Sequence, residues 1–342
     1  MNCINQAAPA IRMLLKKADY PLVSLVSDDT KADITVSLED IQSLKGKDVK
    51  TVKVENVGTF ALNYPQTNGR LKNKIAIVTG SAQGFGKGIA EEMMNEGAFM
   101  VVADLNYALA DTVCKEFNAK YGEGRALAVK VDVSNEESVE ELINQTVKVF
   151  GGLDIFVNNA GVLKAGSLDE MDLKSFEFVT KINYTAYFLC AKYASKIMKQ
   201  QHAYDSEYFM DIVQVNSKSG LEGSNKNFAY AGGKFGGIGL TQSFAKELVE
   251  YNIKVNAVCP GNFYDGPLWS NPENGLFVQY LKAGKVPGAK TVEDVKNFYV
   301  SKSPIRRGCF PLDVARAIFY VVEQQFETGQ ALPVTGGQNM LK

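Results

Sequence analysis

A chain of 342 residues is long enough for one large core plus a smaller appendage, and 46% hydrophobic with 22% charged residues is an ordinary globular balance. The net charge of −1 gives no whole-protein attraction to nucleic acid or anionic membrane. No apolar run reaches the roughly 18 residues a bilayer requires, and in segment 1–17 the basic residues follow the apolar stretch, the reverse of a secretory leader, so a cytoplasmic protein with no membrane or nucleic-acid partner is expected.

The amino-terminal part predicts a helix near 8–17, an apolar run over 22–26 and another over 49–54. Asn63-Tyr64-Pro65-Gln66-Thr67-Asn68-Gly69 reads as a linker. Residues 1–70 thus read as a small α/β extension, structural or oligomer-forming, with no chemical motif and a role the sequence leaves open. From residue 74 onward apolar runs alternate with amphipathic stretches. The runs cover 75–78, 99–103, 126–131, 155–157, 211–215, 255–258 and 332–334, and short continuous runs of this kind suit strands buried on both faces. Helices are predicted over 86–96, 106–120, 136–149, 174–199, 229–250 and 312–324. The alternation gives an α/β fold for residues 71–342, a doubly wound seven-stranded parallel sheet. The excursion 262–302 holds Pro267, Trp269, Pro272, Gly275, Gly284, Pro287 and Gly288, with short helices near 275–282 and 291–301 and Thr291 as N-cap. An insertion of that length at the carboxyl edge of a sheet is expected to cover substrate.

Thr79-Gly80-Ser81-Ala82-Gln83-Gly84-Phe85-Gly86 follows the first buried strand and opens a helix. Glycine is needed where a backbone turns tightly and approaches a pyrophosphate, and the helix start offers free N–H groups and a positive dipole end. The next strand ends at Asp104, whose carboxylate suits ribose hydroxyls and repels a 2′-phosphate, while Gln83 supplies no compensating cation. NAD is therefore expected rather than NADP. Asp132-Val133 closes the third strand, where a side chain reaches the adenine, and Asn158-Asn159-Ala160-Gly161 closes the fourth, where small residues allow close approach to the cofactor.

Tyr230 and Lys234 lie four apart near a helix start and share one face. Tyrosine titrates near pH 10, and a base useful at neutral pH needs about three units less, about 4 kcal/mol. One ammonium at ~4 Å with an effective dielectric near 20 supplies roughly that much, so Lys234 is expected to lower Tyr230. Ser217 ends the fifth strand, where its hydroxyl can hold a substrate oxygen, and Asn183 stands among apolar neighbours in the long helix and needs a partner. Other chemistries lack their parts. His202 is the single histidine, one short of a paired-histidine zinc motif. Cys3, Cys114, Cys190, Cys259 and Cys309 are scattered and odd in number, which fits reduced thiols, and no metal site is expected.

Over nearly all of 72–342 these elements resemble the short-chain dehydrogenase/reductase family. The matching residues are Thr79-Gly80 with Gly84-Phe85-Gly86, Asn158-Asn159-Ala160-Gly161, Asn183, Ser217, Tyr230, Lys234 and Pro260-Gly261. The resemblance implies a Rossmann-type fold and a tetrad in which Tyr230 transfers the proton. Lys234 lowers its pKa and binds the nicotinamide ribose, Ser217 orients substrate, and Asn183 holds a water joining Lys234 to solvent. It also implies that Pro260 and Gly261 border the cofactor and that the chain forms a homodimer or homotetramer. Two positions depart from the family pattern: Gly233, where serine is frequent, and Asp265, where many members place threonine. Within the family, Val215-Asn216-Ser217-Lys218-Ser219-Gly220, the stretch 234–243, Arg307-Gly308-Cys309 and Val334-Thr335-Gly336-Gly337-Gln338 resemble sorbitol-6-phosphate 2-dehydrogenases. The implied reaction converts sorbitol 6-phosphate and NAD to fructose 6-phosphate and NADH. Lys218, Lys226, Arg306 and Arg307 are the cations available for a phosphate. Residues 1–70 fall outside this resemblance; they look faintly like the tail of aldolase domains that precede dehydrogenases in some fused enzymes, and with no metal-ligand histidines no aldolase function follows. Two other readings stay open: a short-chain dehydrogenase for another polyol, sugar or oxoacyl substrate, and a noncatalytic NAD-binding sensor, against which the intact tetrad argues.

Overall fold

The computed structural model describes residues 2–282 and 284–340. Helix α1 (Cys3–Leu14) starts earlier than predicted because the Asn2 side chain accepts the Asn5 N–H and caps it, and Pro9 is carried inside. Strands β1 (Leu22–Val26), β2 (Ile34–Val36), β3 (Thr51–Val54) and β4 (Gly58–Asn63) follow and form a sheet in the order β1-β4-β3-β2. Strand β4 pairs antiparallel with both neighbours, whereas β2 and β3 run parallel.

The second sheet uses β5 (Ile75–Thr79), β6 (Phe99–Asp104), β7 (Ala126–Lys130), β8 (Ile155–Asn158), β9 (Met210–Val215), β10 (Ile253–Pro260) and β11 (Ala331–Val334). All pairings are parallel, in the order β11-β10-β9-β8-β5-β6-β7. The order reverses direction between β5 and β8, and ligands of open α/β sheets bind at such a switch point beyond the carboxyl ends of the strands. Seven longer helices connect the strands: α2 (Gly84–Asn95), α3 (Tyr107–Tyr121), α4 (Glu136–Phe150), α5 (Leu173–Thr180), α6 (Ala186–His202), α7 (Phe228–Leu248) and, after the excursion, α11 (Pro311–Glu323). The excursion holds α8 (Pro267–Ser270), α9 (Leu276–Lys282) and α10 (Val292–Ser301).

The helix predicted over 174–199 is broken. A π-turn at Lys181–Thr185 separates α5 from α6. The wider turn leaves Asn183 facing the loop after β8, where its amide donates to the Val162 carbonyl at 2.7 Å and accepts the Val162 N–H at 2.9 Å. The buried polar side chain thus finds its partner in a peptide rather than another side chain.

Two cores flank the large sheet, one on each face. The amino-terminal sheet shares the first: Ala7, Ile11, Leu14, Val23 and Phe60 pack in one cluster with Val147, Phe150 and Ile197 of α4 and α6. At the amino edge of the strands, Arg12 donates two hydrogen bonds to Asp154, at 2.9 and 2.8 Å, and both side chains are sealed from water. Asp154 also accepts the Ile75 N–H at 2.8 Å. Beside them Lys74 donates to the Tyr208 hydroxyl, and Lys254 lies 2.8 Å from Asp211. The excursion has a third, separate core in which Trp269 packs against Tyr264, Phe277 and Tyr299 with ring centroids 5.0–5.2 Å apart. Thr291 and Asp294 form a capping box at the start of α10, the N-cap the sequence predicts.

Candidate active site

Strand β5 delivers the glycine loop to the switch point. Gly80 and Gly84 adopt φ of 64° and 59°, a region that disfavours side chains. A Cβ at Gly86 would stand 2.1 Å from the Gly80 carbonyl oxygen and 2.6 Å from Asn159 Nδ2, so only glycine lets α2 begin this close to the loop. Asn159 ties the same loop from the other side, donating to the carbonyls of Thr79 at 2.8 Å and Gly80 at 3.2 Å. Thr79 Oγ1 accepts the N–H groups of Asn159 and Ala160, both at 3.0 Å, a role the sequence did not signal. Ser81 points inward: its hydroxyl donates to Val78 O at 2.7 Å and accepts Ala103 N–H at 3.1 Å, so its side chain braces the strand ends. Gln83 precedes α2 with no side-chain cap bond, and the Phe85 ring lies 4.9 Å from that of Phe263.

Asp104 ends β6 with its carboxylate accepting the N–H groups of Ala82 and Asn106, each at 3.0 Å. It therefore closes on the glycine loop in a fixed orientation. Asp132 accepts both the N–H and the hydroxyl of Ser134, and Val133 beside it is buried. Gly161 lies next to Asn183, with a Cβ at that position 2.9 Å from Asn183 Oδ1 and 3.9 Å from Lys234 Nζ. Pro260 ends β10, and the Gly261 N–H donates to Val334 O at 2.9 Å. These residues converge on one crevice and fit a dinucleotide, with bare backbone where the pyrophosphate approaches and a carboxylate at the next strand end.

The candidate proton-transfer residues follow β9 and lie on α7. Ser217 follows β9, and its hydroxyl is close enough to the Tyr230 phenol to favour the phenolate. Lys234 is 4% exposed; its ammonium donates to Val215 O at 2.9 Å and lies 5.5 Å from the Tyr230 ring centroid. Asn216 fixes the helix behind it, donating to the Lys234 carbonyl at 2.9 Å. Glycines set how close α7 comes. A Cβ at Gly233 would lie 3.2 Å from Asn183 Cβ, and one at Gly236 would lie 2.6 Å from the Tyr184 ring. Glycine in place of the frequent serine at 233 thus goes with a tight contact to Asn183.

The electrostatics differ from the expectation of a phenol depressed by Lys234. Burial raises the Tyr230 phenol above its usual range, and the Ser217 hydrogen bond only partly offsets it. Burial pulls Lys234 down to about 8. Low polarity disfavours both charged forms. At neutral pH Tyr230 therefore rests as the neutral phenol, while Lys234 still carries most of its charge.

A cavity of about 550 Å³ opens beside Gly261, between Ser303 to Cys309 and Thr335 to Met340. That is within the range of small-molecule sites. Arg307 borders it, but its guanidinium is forked to Asp313 at 2.5 and 2.9 Å. Asp265, the second departure from the family pattern, pairs with Lys296 at 3.3 Å.

Residues 74–271 match the family model described as short chain dehydrogenase. The chain is 35% identical over 271 residues to sorbitol-6-phosphate 2-dehydrogenase of Escherichia coli (strain K12), covering 78% of this chain and 99% of that one. The solved structure of sorbitol-6-phosphate 2-dehydrogenase from Erwinia amylovora superposes with a TM-score of 0.71 at 37% identity, over 78% of this chain and 100% of the other. A 3-ketoacyl-(acyl-carrier-protein) reductase from Brucella melitensis, solved in complex with NADH, gives a TM-score of 0.66 at 25% identity over 79% of this chain and all of its own. With a glycine-lined nucleotide crevice and a serine-tyrosine-lysine group on a seven-stranded Rossmann-type sheet, the chain belongs to the short-chain dehydrogenase family and is an oxidoreductase acting on CH–OH groups.

Proposed function

We propose that the protein oxidises sorbitol 6-phosphate to fructose 6-phosphate with NAD, using Tyr230 as acid/base. The carrying observation is the Tyr230 ring with the buried Lys234 ammonium 5.5 Å from its centroid and Ser217 beside the phenol. The relative in Escherichia coli, matched along 99% of its length, supports the substrate.

A nicotinamide coenzyme, when bound, accepts or returns the hydride. The crevice residues Gly80, Gln83, Gly84, Phe85, Gly86, Asp104, Asp132, Val133, Asn159, Ala160, Gly161, Pro260 and Gly261 would hold it, with Ser81 bracing the loop and Lys234 at the nicotinamide ribose. Ser217 and Tyr230 together address the substrate oxygen. During oxidation Tyr230 would take the hydroxyl proton as the phenolate, and during reduction it would return one as the phenol. Lys234, held by Val215 O, places its positive charge where a phenolate would develop. The Asn183 side chain is committed to both polar groups of Val162, so any water linking Lys234 to solvent is held by its backbone.

NAD rather than NADP follows from Asp104, whose fixed carboxylate would oppose a 2′-phosphate. We read 262–302 as the lid over the substrate and residues 1–70 as a brace on α4 and α6. Exposed Phe178, Phe188 and Phe235 on the helices after β8 and β9 support the homodimer or homotetramer. Five free cysteines suit the reducing cytoplasm. The test is NADH or NADPH formation across polyols and their phosphates. Sorbitol 6-phosphate with NAD is expected to be the most efficient pair; efficient turnover of only unphosphorylated or acyl substrates would replace the hexitol-phosphate reading with another activity of the family.

A further inference from the structure

Gln214 and Asn216 stand two apart at the carboxyl end of β9, on the face that meets α7. Both side chains are sealed from water. An apolar residue would fill either position without needing partners, whereas a buried amide costs stability unless its polar atoms are bonded.

Asn216 is fully engaged. Its amide donates to Gln214 Oε1 at 2.8 Å and to the Lys234 carbonyl at 2.9 Å, and its Oδ1 accepts the Ser217 N–H at 2.8 Å. Its backbone N–H donates to Val258 O at 2.7 Å, which anchors it to β10. Gln214 is less well served. Its Oε1 orients the Asn216 amide, while its Nε2 has no partner among the described residues. Glycines make room for both amides. A Cβ at Gly220 would stand 2.1 Å from Asn216 Oδ1, and one at Gly237 would stand 2.4 Å from Gln214 Nε2. A buried donor without a partner is unfavourable, so stability alone does not favour this pair of amides over apolar side chains.

The bonds of Asn216 join the groups of the candidate site. Lys234 is held to the end of β9 twice, its carbonyl by Asn216 and its ammonium by Val215 O at 2.9 Å. Tyr230 lies about one helical turn before it on α7. On the strand side Asn216 holds the Ser217 backbone. The Ser219 N–H donates to Ser217 Oγ at 3.1 Å, which leaves the serine hydroxyl hydrogen free for another oxygen.

We propose that Asn216 is a positioning residue for proton transfer: its one amide, oriented by Gln214, locks the end of β9 that carries Ser217 to the turn of α7 that carries Tyr230 and Lys234. The inference rests on the reading of Tyr230 as the acid/base. Asn216 acts through the two backbones it bonds. When its amide is lost, Ser217 and Lys234 are no longer fixed against the phenol, and the positive charge that favours the phenolate acts from farther away.

The test compares the wild type with Asn216→Ala, Gln214→Leu, Tyr230→Phe and Asn256→Ala, using NAD and whichever polyol or polyol phosphate the wild type oxidises best. Asn256 is a control of the same kind: it is a buried amide on β10 that donates to Glu327 O at 2.9 Å and accepts the Gln330 N–H at 3.0 Å. In Asn216→Ala, kcat should fall about 10- to 100-fold near pH 7, with KM and NADH affinity within about threefold. The pH profile is the readout that a merely structural role would not move. A phenolate farther from its cation forms at higher pH, so the acid limb of kcat, which belongs to the Tyr230–Lys234 pair as a unit, should move up by about one unit. The deficit should therefore shrink as pH rises from about 6 to about 9.5. Cys259 of β10, whose charge would act on both Tyr230 and Lys234, is pushed up to about 11 by burial and stays largely neutral over that range. Gln214→Leu should move kcat and the limb in the same directions by less. Asn256→Ala should lower the melting temperature and leave kcat within about twofold and the limb in place. If Asn216→Ala does not bind NADH, Gln214→Leu decides. Wild-type kcat and limb in the deciding variant, or a deficit that is the same at every pH, overturns the positioning role, and an inactive Tyr230→Phe then leaves the acid/base reading standing. Turnover retained in Tyr230→Phe overturns the acid/base reading and the positioning role with it.

Discussion

At the amino edge of the large sheet, buried charge is matched with buried charge. Arg12 grips Asp154 with two hydrogen bonds, Lys254 lies 2.8 Å from Asp211, and Lys74 reaches the field of both carboxylates. At the carboxyl edge Lys234 is almost as hidden, but among the described residues its ammonium bonds only the Val215 carbonyl. The contrast separates two uses of a buried ion. The Arg12–Asp154 pair ties the amino-terminal extension to the main sheet, and breaking such a pair is costly. A buried lysine with no carboxylate partner among the described residues lowers stability by itself, which fits the role proposed for it beside Tyr230.

The largest effect should come from breaking the matched edge. Asp154→Ala leaves Arg12 buried without its partner, and urea unfolding should show a loss of about 3–5 kcal/mol. A loss below about 1 kcal/mol would mean that this pair is no more structural than a surface contact. Acid should act the same way. Burial alone would raise Asp154, but Arg12 and Lys74 hold it below its usual range, so its contribution is present above the unfolded pKa and fades as pH falls through the folded value.

The unmatched edge should give a smaller effect of opposite sign. Lys234 titrates at about 8 in the fold against 10.5 for the ordinary side chain, so the unfolded state binds more protons between those values. Wild-type stability relative to Lys234→Met should therefore rise with pH from about 8 to 10.5. Below pH 8 the methionine variant should be the more stable by about 3 kcal/mol, at about 1.36 per unit. A difference that does not change with pH would show that Lys234 is not held against a desolvation penalty. The smallest shift concerns cofactor choice. Asp104→Ala should narrow the ratio of NAD to NADP efficiencies by about tenfold, equivalent to about 1.4 kcal/mol. Using the ratio cancels damage from the lost bond to Ala82. An unchanged ratio would locate the selectivity elsewhere.

Most of the large sheet was readable because its strands are buried on both faces and appear as unbroken apolar runs; β5, β6 and β10 fall within a residue or two of their predictions. The amino-terminal sheet was half legible, since β1 matches the apolar run over 22–26 and β3 lies within the one over 49–54. Strand β2 spans three residues, Ile34–Val36, and β4 is half-buried with no clean alternation, so neither leaves a pattern in the chain. The candidate proton-transfer residues and the glycine loop could be picked out because the chemistry proposed for them restricts residue type. Their charge states were not, since desolvation depends on what the fold packs around them: a Tyr-Lys spacing predicts a lowered phenol, whereas burial raises it. Likewise Arg307 looked available and is taken by Asp313 six positions on.

The role of Tyr230 is tested most directly by Tyr230→Phe, which removes one hydroxyl and leaves the nucleotide crevice intact. Steady-state turnover and fluorescence titration with NADH should be measured on the same preparation. Turnover with the best substrate should fall at least about 100-fold, as for loss of a positioned acid/base, while NADH affinity stays within about twofold. A folded variant that binds NADH and keeps wild-type turnover would show that the proton moves through another group.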